Sequence, residues 1–270
     1  MPKGPTVAER PGFLENSIIV ACHPDDELLW FASILPRVDQ VLLIYEDYWP
    51  DPELGAARAR AVANHPHPSV RTLRLPEVAT YGAGRWADAA IDDVGIDFGR
   101  AAALRDAKQA VLGLAGRRRA PAGGLARRYR ANFASLCSHL RESLRADMNV
   151  FTHNAWGEYG HEDHVQLHRA LCALRDEMGF RLWTSNYVTE RSLPLAMRYF
   201  KTRPEPGITL PVDVGNAERV ADCYREAGCW TWADDWTWFP TETFRQAPHA
   251  PSDAGGQAHL AGLNFFRIGT

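Results

Sequence analysis

Short apolar runs alternate with stretches of helical period along the first third of the chain. SIIVAC (17–22), VDQVLLIY (38–45) and VRTLRL (70–75) predict buried strands, and DELLWFASIL (26–35) and ELGAARARAVANH (53–65) predict the helices between them. That order implies a parallel sheet joined by right-handed crossovers. Residues 76–99, with Gly82, Gly84, Gly95 and Gly99, predict irregular chain, and 100–115 and 125–144 predict helices around the loop GRRRAPAGG (116–124). MNVFT (148–152) predicts a fourth strand, EDHVQLHRALCALRDEM (162–178) a helix with acidic residues at its start, and RLWTSNYV (181–188) a further strand. NAERVADCYREAG (216–228) predicts a helix opened by Asn216 and stopped by Gly228. In CWTWADDWTWFPTETF (229–244), alternation at 230–232 and 236–238 predicts short strands with one buried face. The expected fold class is α/β: a mostly parallel sheet flanked by helices, with a Trp-rich C-terminal extension. No repeat or linker divides residues 1–270, so one domain is expected.

Composition narrows the function classes. With 46% hydrophobic and 10% aromatic residues, the chain can fill a core, which argues against disorder. Thirty basic residues face 33 acidic ones, without the basic excess of a general nucleic-acid binder. No apolar stretch approaches the ~20 residues of a membrane helix, and the polar start predicts no secretory signal. The five cysteines form no CxxC pair, so reduced thiols in a cytoplasmic protein are expected.

Two clusters carry candidate chemistry. The first strand runs into His23-Pro24-Asp25-Asp26-Glu27. In open α/β sheets ligands bind at the carboxyl ends of strands, and a His and a carboxylate three residues apart can reach one cation. A lone Asp here would be read as a helix cap; a His with three acids favours a site. The fourth strand runs into HNAWGEYGHEDHVQLH (153–168), which holds four of the ten histidines. His161 and His164 can share a site, and His164 and His168 lie one turn apart; a satisfied, buried histidine is the preferred reading of His168. His153 is open between a supporting role and a strand-end residue. Two histidines and a carboxylate leave a catalytic zinc with an open position, and Asp25 beside them is free to take a proton from water. HExxH, GxSxG and a GxGxxG after the first strand are absent, which argues against a zincin protease, a serine hydrolase and a dinucleotide enzyme.

ACHPDDELLWF (21–31) resembles the AHPDDE motif of the LmbE-like, or PIG-L, N-acetylglucosaminide deacetylases, and EYGHEDHVQLH (158–168) is similar to that family's Gly-His-Pro-Asp-His motif. The resemblance covers about residues 17–185, leaving 186–270 as a part expected to shape the substrate pocket. It implies a Rossmann-like sheet and one zinc ion, with Fe²⁺ or another divalent metal as alternatives, removing acetyl from an amino sugar. By position, His23, Asp26 and His164 match the metal ligands and Asp25 the general base. His161 matches the group that stabilises the oxyanion, Asp163 the acid that tunes that histidine, and Tyr159 a mobile active-site tyrosine. Cys22 and Glu162 depart from the usual motif residues. Arg58 resembles a substrate-contacting Arg, with a solvated helix face as its bland alternative, and Glu77 an acid after the third strand.

The implied substrate is a GlcNAc-type sugar in a small glycoconjugate, such as an aminoglycoside or other secondary-metabolite precursor. A mycothiol-type conjugate, a cell-surface glycan precursor and a non-catalytic metal-containing sugar-binding protein are the alternatives. A membrane-associated glycolipid deacetylase lacks a spanning segment here. Partners are expected to be the N-acetylated amino sugar, with no nucleic acid and no stable membrane insertion; oligomeric state stays open. Tyr48 and Trp49 follow a strand end and are expected to contact the acceptor. The tail aromatics Trp230, Trp232, Trp236, Trp238 and Phe239 either pack in the core, the preferred reading, or line a sugar-binding wall, in which case Trp236 or Trp238 is the expected contact. The basic run Arg117, Arg118, Arg119, Arg127, Arg128 and Arg130 reads as a solvated face rather than an anion site.

Overall fold

Each predicted strand is a run of apolar residues that a sheet covered on both faces can bury. The computed structural model describes residues 11–46, 48, 51–100, 103–107, 124–200, 206–233, 235–247, 260 and 262–268. In chain order its strands are β1 (Ser17–Ala21), β2 (Gln40–Tyr45), β3 (Val70–Leu75), β4 (Ile91–Asp92), β5 (Gly95–Ile96), β6 (Asn149–Thr152), β7 (Arg181–Thr184), β8 (Tyr187–Val188), β9 (Ile208–Pro211), β10 (Thr241–Gln246) and β11 (Asn264–Phe265). Seven form the main sheet, ordered β3-β2-β1-β6-β7-β10-β9. The first five run parallel, and β10 and β9 add antiparallel pairings at one edge. The sheet is therefore mostly parallel and α/β, as expected.

The two-residue period of a strand sorts the core into two layers. Ile19 and Ala21 pack with Phe31, Leu43, Ala57, Phe151 and Tyr224 on one face, while Ile18 and Val20 pack with Leu42, Leu136, Val150 and Leu171 on the other. All five residues of β1 are buried. Each fully buried Ile or Val contributes about 1.5–3 kcal/mol. The first layer is covered by the helices Pro52–Ala63 and Val214–Ala227, the second by Leu125–Ser143 and Glu162–Met178. No described helix is long and apolar enough to cross a membrane.

β1 pairs with β2 on one side and with β6 on the other. The chain winds outward from β1 through β2 to β3, then returns to β1's other side. The acidic segment after β1 and the histidine-rich segment after β6 thus leave neighbouring strands at the point where strand order reverses, where such sheets open a crevice.

Four expectations change. The helix expected over 26–35 is one turn, Asp26–Leu29, followed by turns and a 3₁₀ segment, Leu35–Arg37. The N–H groups of Ala32 and Ser33 donate to the buried carboxylate of Glu242 on β10, at 3.1 and 2.8 Å, which takes two donors the helix would have used. The strand expected over 181–188 splits at Ser185 and Asn186, because Tyr187 and Val188 pair with β11 instead. The helix expected from Asn216 begins at Val214, capped by Asp213, whose carboxylate accepts from the Asn216 N–H. Residues 230–232 and 236–238 are not strands. The indoles of Trp232 and Trp238 bond to distant carboxylates, and Trp232 and Trp236 pack on each other, so the alternation does not mark a ladder.

Candidate metal centre and its cavity

β1 ends in a turn that Asp25 makes in the left-handed region, φ 110°, a costly conformation for a non-glycine residue. Glu27 holds it there: its Oε2 accepts from the Asp25 N–H at 3.1 Å, while Oε1 accepts from the Tyr224 hydroxyl at 2.7 Å and lies 3.1 Å from His65 Nε2. The turn folds Asp26 back under His23, so that Asp26 Oδ2 accepts from the His23 N–H at 2.7 Å. Asp26 Oδ1 accepts from the Trp30 indole at 2.8 Å. After β6, Gly157 takes φ +66°, and a Cβ there would lie 2.6 Å from the His161 carbonyl oxygen, so the tight turn requires glycine. His161 then caps the helix Glu162–Met178.

Together these turns bring His23, Asp26 and His164 to one buried point. Asp26 Oδ2 lies 3.1 Å from His23 Nδ1 and 3.2 Å from His164 Nε2. Donors around one tetrahedral zinc with bonds of about 2.0 Å stand about 3.3 Å apart. The proton positions follow from the partners. His164 Nδ1 is 2.8 Å from Glu158 Oε2, which only accepts, so Nδ1 carries the proton. Its Nε2 lone pair then faces a carboxylate oxygen and has no hydrogen-bond partner among the described residues. Two facing acceptors repel, so either a proton on Nε2 or a metal cation lies between them. Burial alone would lower the pKa of His164, but Asp26 and Glu158 outweigh it and hold it up to about 9. Burial likewise opposes, and Glu77, Asp163 and Asp26 overcome, a rise of His23 to about 10. The pocket's field favours positive charge at these nitrogens, and the donor set fits a divalent metal.

The other histidines sort by the same logic. His153 Nε2 accepts from the Cys22 N–H at 2.9 Å and its Nδ1 lies 3.0 Å from Glu158 Oε2, so both nitrogens are engaged. It stands with Cys22 and His164 in a second His/Cys cluster, but its lone pair is already used. His168 is buried, bonded to the His153 carbonyl and to Cys172, and lies apart from the donor group. His161 Nδ1 accepts from the Asp163 N–H at 3.2 Å, so its proton is on Nε2. Burial first, then His164 and His23, hold His161 well below 6.5, which makes it a neutral donor.

The Asp163 N–H donates to His161 Nδ1, and its carboxylate forms with His23 and His161 a further group of donor atoms within 4.8 Å of one another. Oδ1 accepts from the Thr80 hydroxyl at 2.7 Å, and Oδ2 lies 3.7 Å from His23 Nε2. Glu77 Oε1 is also 3.7 Å from His23 Nε2 and accepts from Arg58 at 2.6 Å. Arg58 is thus inside the site rather than on a solvated face, and its guanidinium lies 5.5 Å from the Tyr48 ring.

A cavity of about 390 Å³ opens over this group, within the usual range for small-ligand sites. His23, Asp25, Glu77 and His161 form its polar part, and Tyr48, Tyr81, Tyr159 and Trp232 its aromatic walls. Burial first, then Asp26, raises the pKa of Asp25 well above 3.8, against the pull of Arg58. Trp49 and Arg117, Arg118 and Arg119 lie outside the described residues. Of the tail tryptophans, Trp232 lines the cavity, while Trp238 and Trp236 follow the preferred core reading: Trp238 is buried on Glu218 and Trp236 packs on Trp30 and Phe266. Trp232 is one of the tail aromatics read as core or sugar-binding wall, whereas Tyr81 and Glu158 carry no role in the sequence reading. Only Glu158 lay inside a motif, and nothing in its spacing marked it. Glu162, where the motif usually has Pro, accepts from the Gly84 N–H and the Trp86 indole at 2.7 and 3.2 Å. It ties down the segment from which Tyr81 stacks on His161, with ring centroids 5.1 Å apart.

No protein-family model matches the chain, and no curated protein matches it in sequence. Among solved structures it is similar to a deacetylase from teicoplanin biosynthesis in complex with teicoplanin, at 13% identity and TM-score 0.45, covering 86% of this chain and 98% of that one. It is also similar to an A40926 pseudoaglycone deacetylase (13%, TM-score 0.44, 88% and 100%) and to the zinc-inhibited form of a teicoplanin deacetylase (12%, TM-score 0.45, 86% and 98%). At that level the likeness says nothing of substrate or mechanism, which rest on this chain's own residues.

Proposed function

We propose that this chain is a metal-dependent de-N-acetylase acting on an N-acetylglucosamine-type sugar of a small glycoconjugate, with His23, Asp26 and His164 holding the metal, zinc by preference. The observation that carries this reading is the convergence of two imidazoles and one carboxylate beside an independent carboxylate, Asp25, on the floor of a cavity. The resemblance of both motifs to the LmbE-like deacetylases supports it. A divalent metal bound there supplies Lewis acidity, polarising an acetamide carbonyl and easing the deprotonation of water.

This chain's residues do the rest. Asp25, basic enough through its burial to work nearer neutral pH, takes a proton from the attacking water. His161 offers a neutral Nε2–H to the oxygen on which negative charge develops. As the C–N bond breaks, Asp25 returns its proton to the nitrogen, leaving acetate and a free amine. Arg58, Tyr48, Tyr159 and Glu77 bind and orient the sugar. Asp163 and Glu77 steady His23 from behind.

Acetate release from a panel of N-acetylated amino sugars, aminoglycoside precursors and glycopeptides tests this, in zinc-loaded protein and in Asp25→Asn. Release by the parent and a ~10²–10⁴-fold fall in kcat for Asp25→Asn, with zinc retained, is expected. No release from the whole panel by stoichiometrically loaded protein, or full zinc retention in His23→Ala, Asp26→Ala and His164→Ala alike, refutes it.

A further inference from the structure

Two indoles bracket the adjacent aspartates. Trp30 donates to Asp26 Oδ1 at 2.8 Å, and Trp232 donates to Asp25 Oδ2 at 3.2 Å. The two rings meet edge to face, with centroids 5.5 Å apart and planes at 79°. Trp232 is further wedged against Tyr159 and Trp236, at 5.3 and 5.1 Å. Trp30 belongs to the turn that carries the aspartates, but Trp232 arrives from 207 residues away. The backbone of Asp25 is held by Glu27; its carboxylate has only the Trp232 hydrogen bond among the described residues.

A carboxylate one residue from another, in a site closed to most water, would turn to separate the two charges unless something fixed it. Asp26 is fixed by Trp30 and the His23 N–H. We propose that Trp232 does the same for Asp25 as a positioning residue: its N–H holds one carboxylate oxygen and leaves the other to accept the proton of the attacking water. The inference rests on Asp25 being the general base. Under it, the C-terminal segment completes the catalytic geometry as well as walling the cavity. A hydrogen bond that orients a carboxylate also weakens it as a base. Misplacement of about 1 Å costs about 100-fold in rate, so orientation is the larger effect.

Trp232→Phe keeps the aromatic packing and removes the donor. In the full zinc-loaded chain, kcat for acetate release falls by about 10–100-fold, as for a lost hydrogen bond to a charged group, while KM and zinc content stay near parental. In an Asp25→Asn background the same substitution leaves the residual rate unchanged within about 2-fold, because the group it acts through is gone. A parental or raised kcat in Trp232→Phe overturns the proposal. So does a fall of equal size in both backgrounds, which would mean that Trp232 acts on the fold or the substrate directly. A second readout needs no turnover. In metal-free protein labelled with ¹⁵N-tryptophan, the indole N–H signal that disappears in Trp232→Phe moves upfield in Asp25→Asn; an unmoved signal overturns the contact. Parental turnover by Asp25→Asn refutes instead the base assignment beneath the inference.

Discussion

Glu158→Gln probes the carboxylate that organises both buried histidines behind the metal centre. Glu158 is fully buried and sits at φ 47°, uncommon for a side-chain-bearing residue. Four donors converge on it: Nδ1 of His153 and of His164 at 3.0 and 2.8 Å, the Asn154 N–H at 2.8 Å and the Ser185 hydroxyl at 2.5 Å. Burial alone would raise its pKa, but the two histidines outweigh burial and lower it from 4.5 to about 2. At about 1.36 kcal/mol per pH unit, the fold stabilises the ionised form by about 3 kcal/mol. The sign follows from the depressed value: the contribution is fully present above 4.5, where the unfolded carboxyl is ionised, and is lost as pH falls toward 2. Glutamine keeps one acceptor oxygen and turns an NH₂ toward other donors. Unfolding in urea of the metal-free variant should show a loss of about 3–5 kcal/mol near neutral pH, the range for breaking a buried pair. That loss should shrink in acid. Chelator competition should show zinc binding weakened by about 10–100-fold, as for a lost partner behind a ligating histidine. A variant within about 1 kcal/mol of parent at neutral pH, or a loss that does not shrink in acid, would refute the assignment of charge to Glu158.

Two further substitutions separate the cavity from the core. His161→Ala should lower kcat by about 10²–10³-fold with KM and zinc near parental, the pattern of a donor that acts in the transition state; loss of the metal instead would make His161 a ligand. Trp238→Ala should cost about 3–5 kcal/mol and lower Tm, while the ratio of kcat/KM between a large glycoside and free N-acetylglucosamine stays at its parental value. A changed ratio with unchanged Tm would move Trp238 to the pocket.

Elements whose cause is local were legible. The helix Glu162–Met178 and the strand Val70–Leu75 lie where periodicity places them, because apolar spacing, acidic first turn and Gly179 stop are all written within a few residues. The fold class was legible for the same reason: apolar runs long enough for strands but too short for most helices, separated by helical period. Two of the misplaced boundaries have a distant cause. The helix after Asp26 ends early because Glu242, over two hundred residues on, takes its backbone donors. The strand at 181–188 breaks because Tyr187 and Val188 pair with residues 264–265.

The candidate site divides along the same line. An acidic segment with one histidine and a histidine-rich segment, each at the end of a strand, were visible as a pair, since each is contiguous and the sheet order puts their strands side by side. The roles within them were not, because a histidine's role here depends on which nitrogen carries the proton. His153 and His164 stack with centroids 3.7 Å apart and share one carboxylate, yet only the Nε2 of His164 is clear of a backbone donor and faces Asp26. The backbone N–H of Cys22 makes that difference by taking the lone pair of His153. In the same way the partners of Asp163, the Thr80 hydroxyl and His23 beside it, come from other segments of the chain, while its own backbone N–H serves the His161 cap. Spacing along the chain orders candidates for a metal; the donors that occupy the remaining nitrogens, from other strands, decide among them.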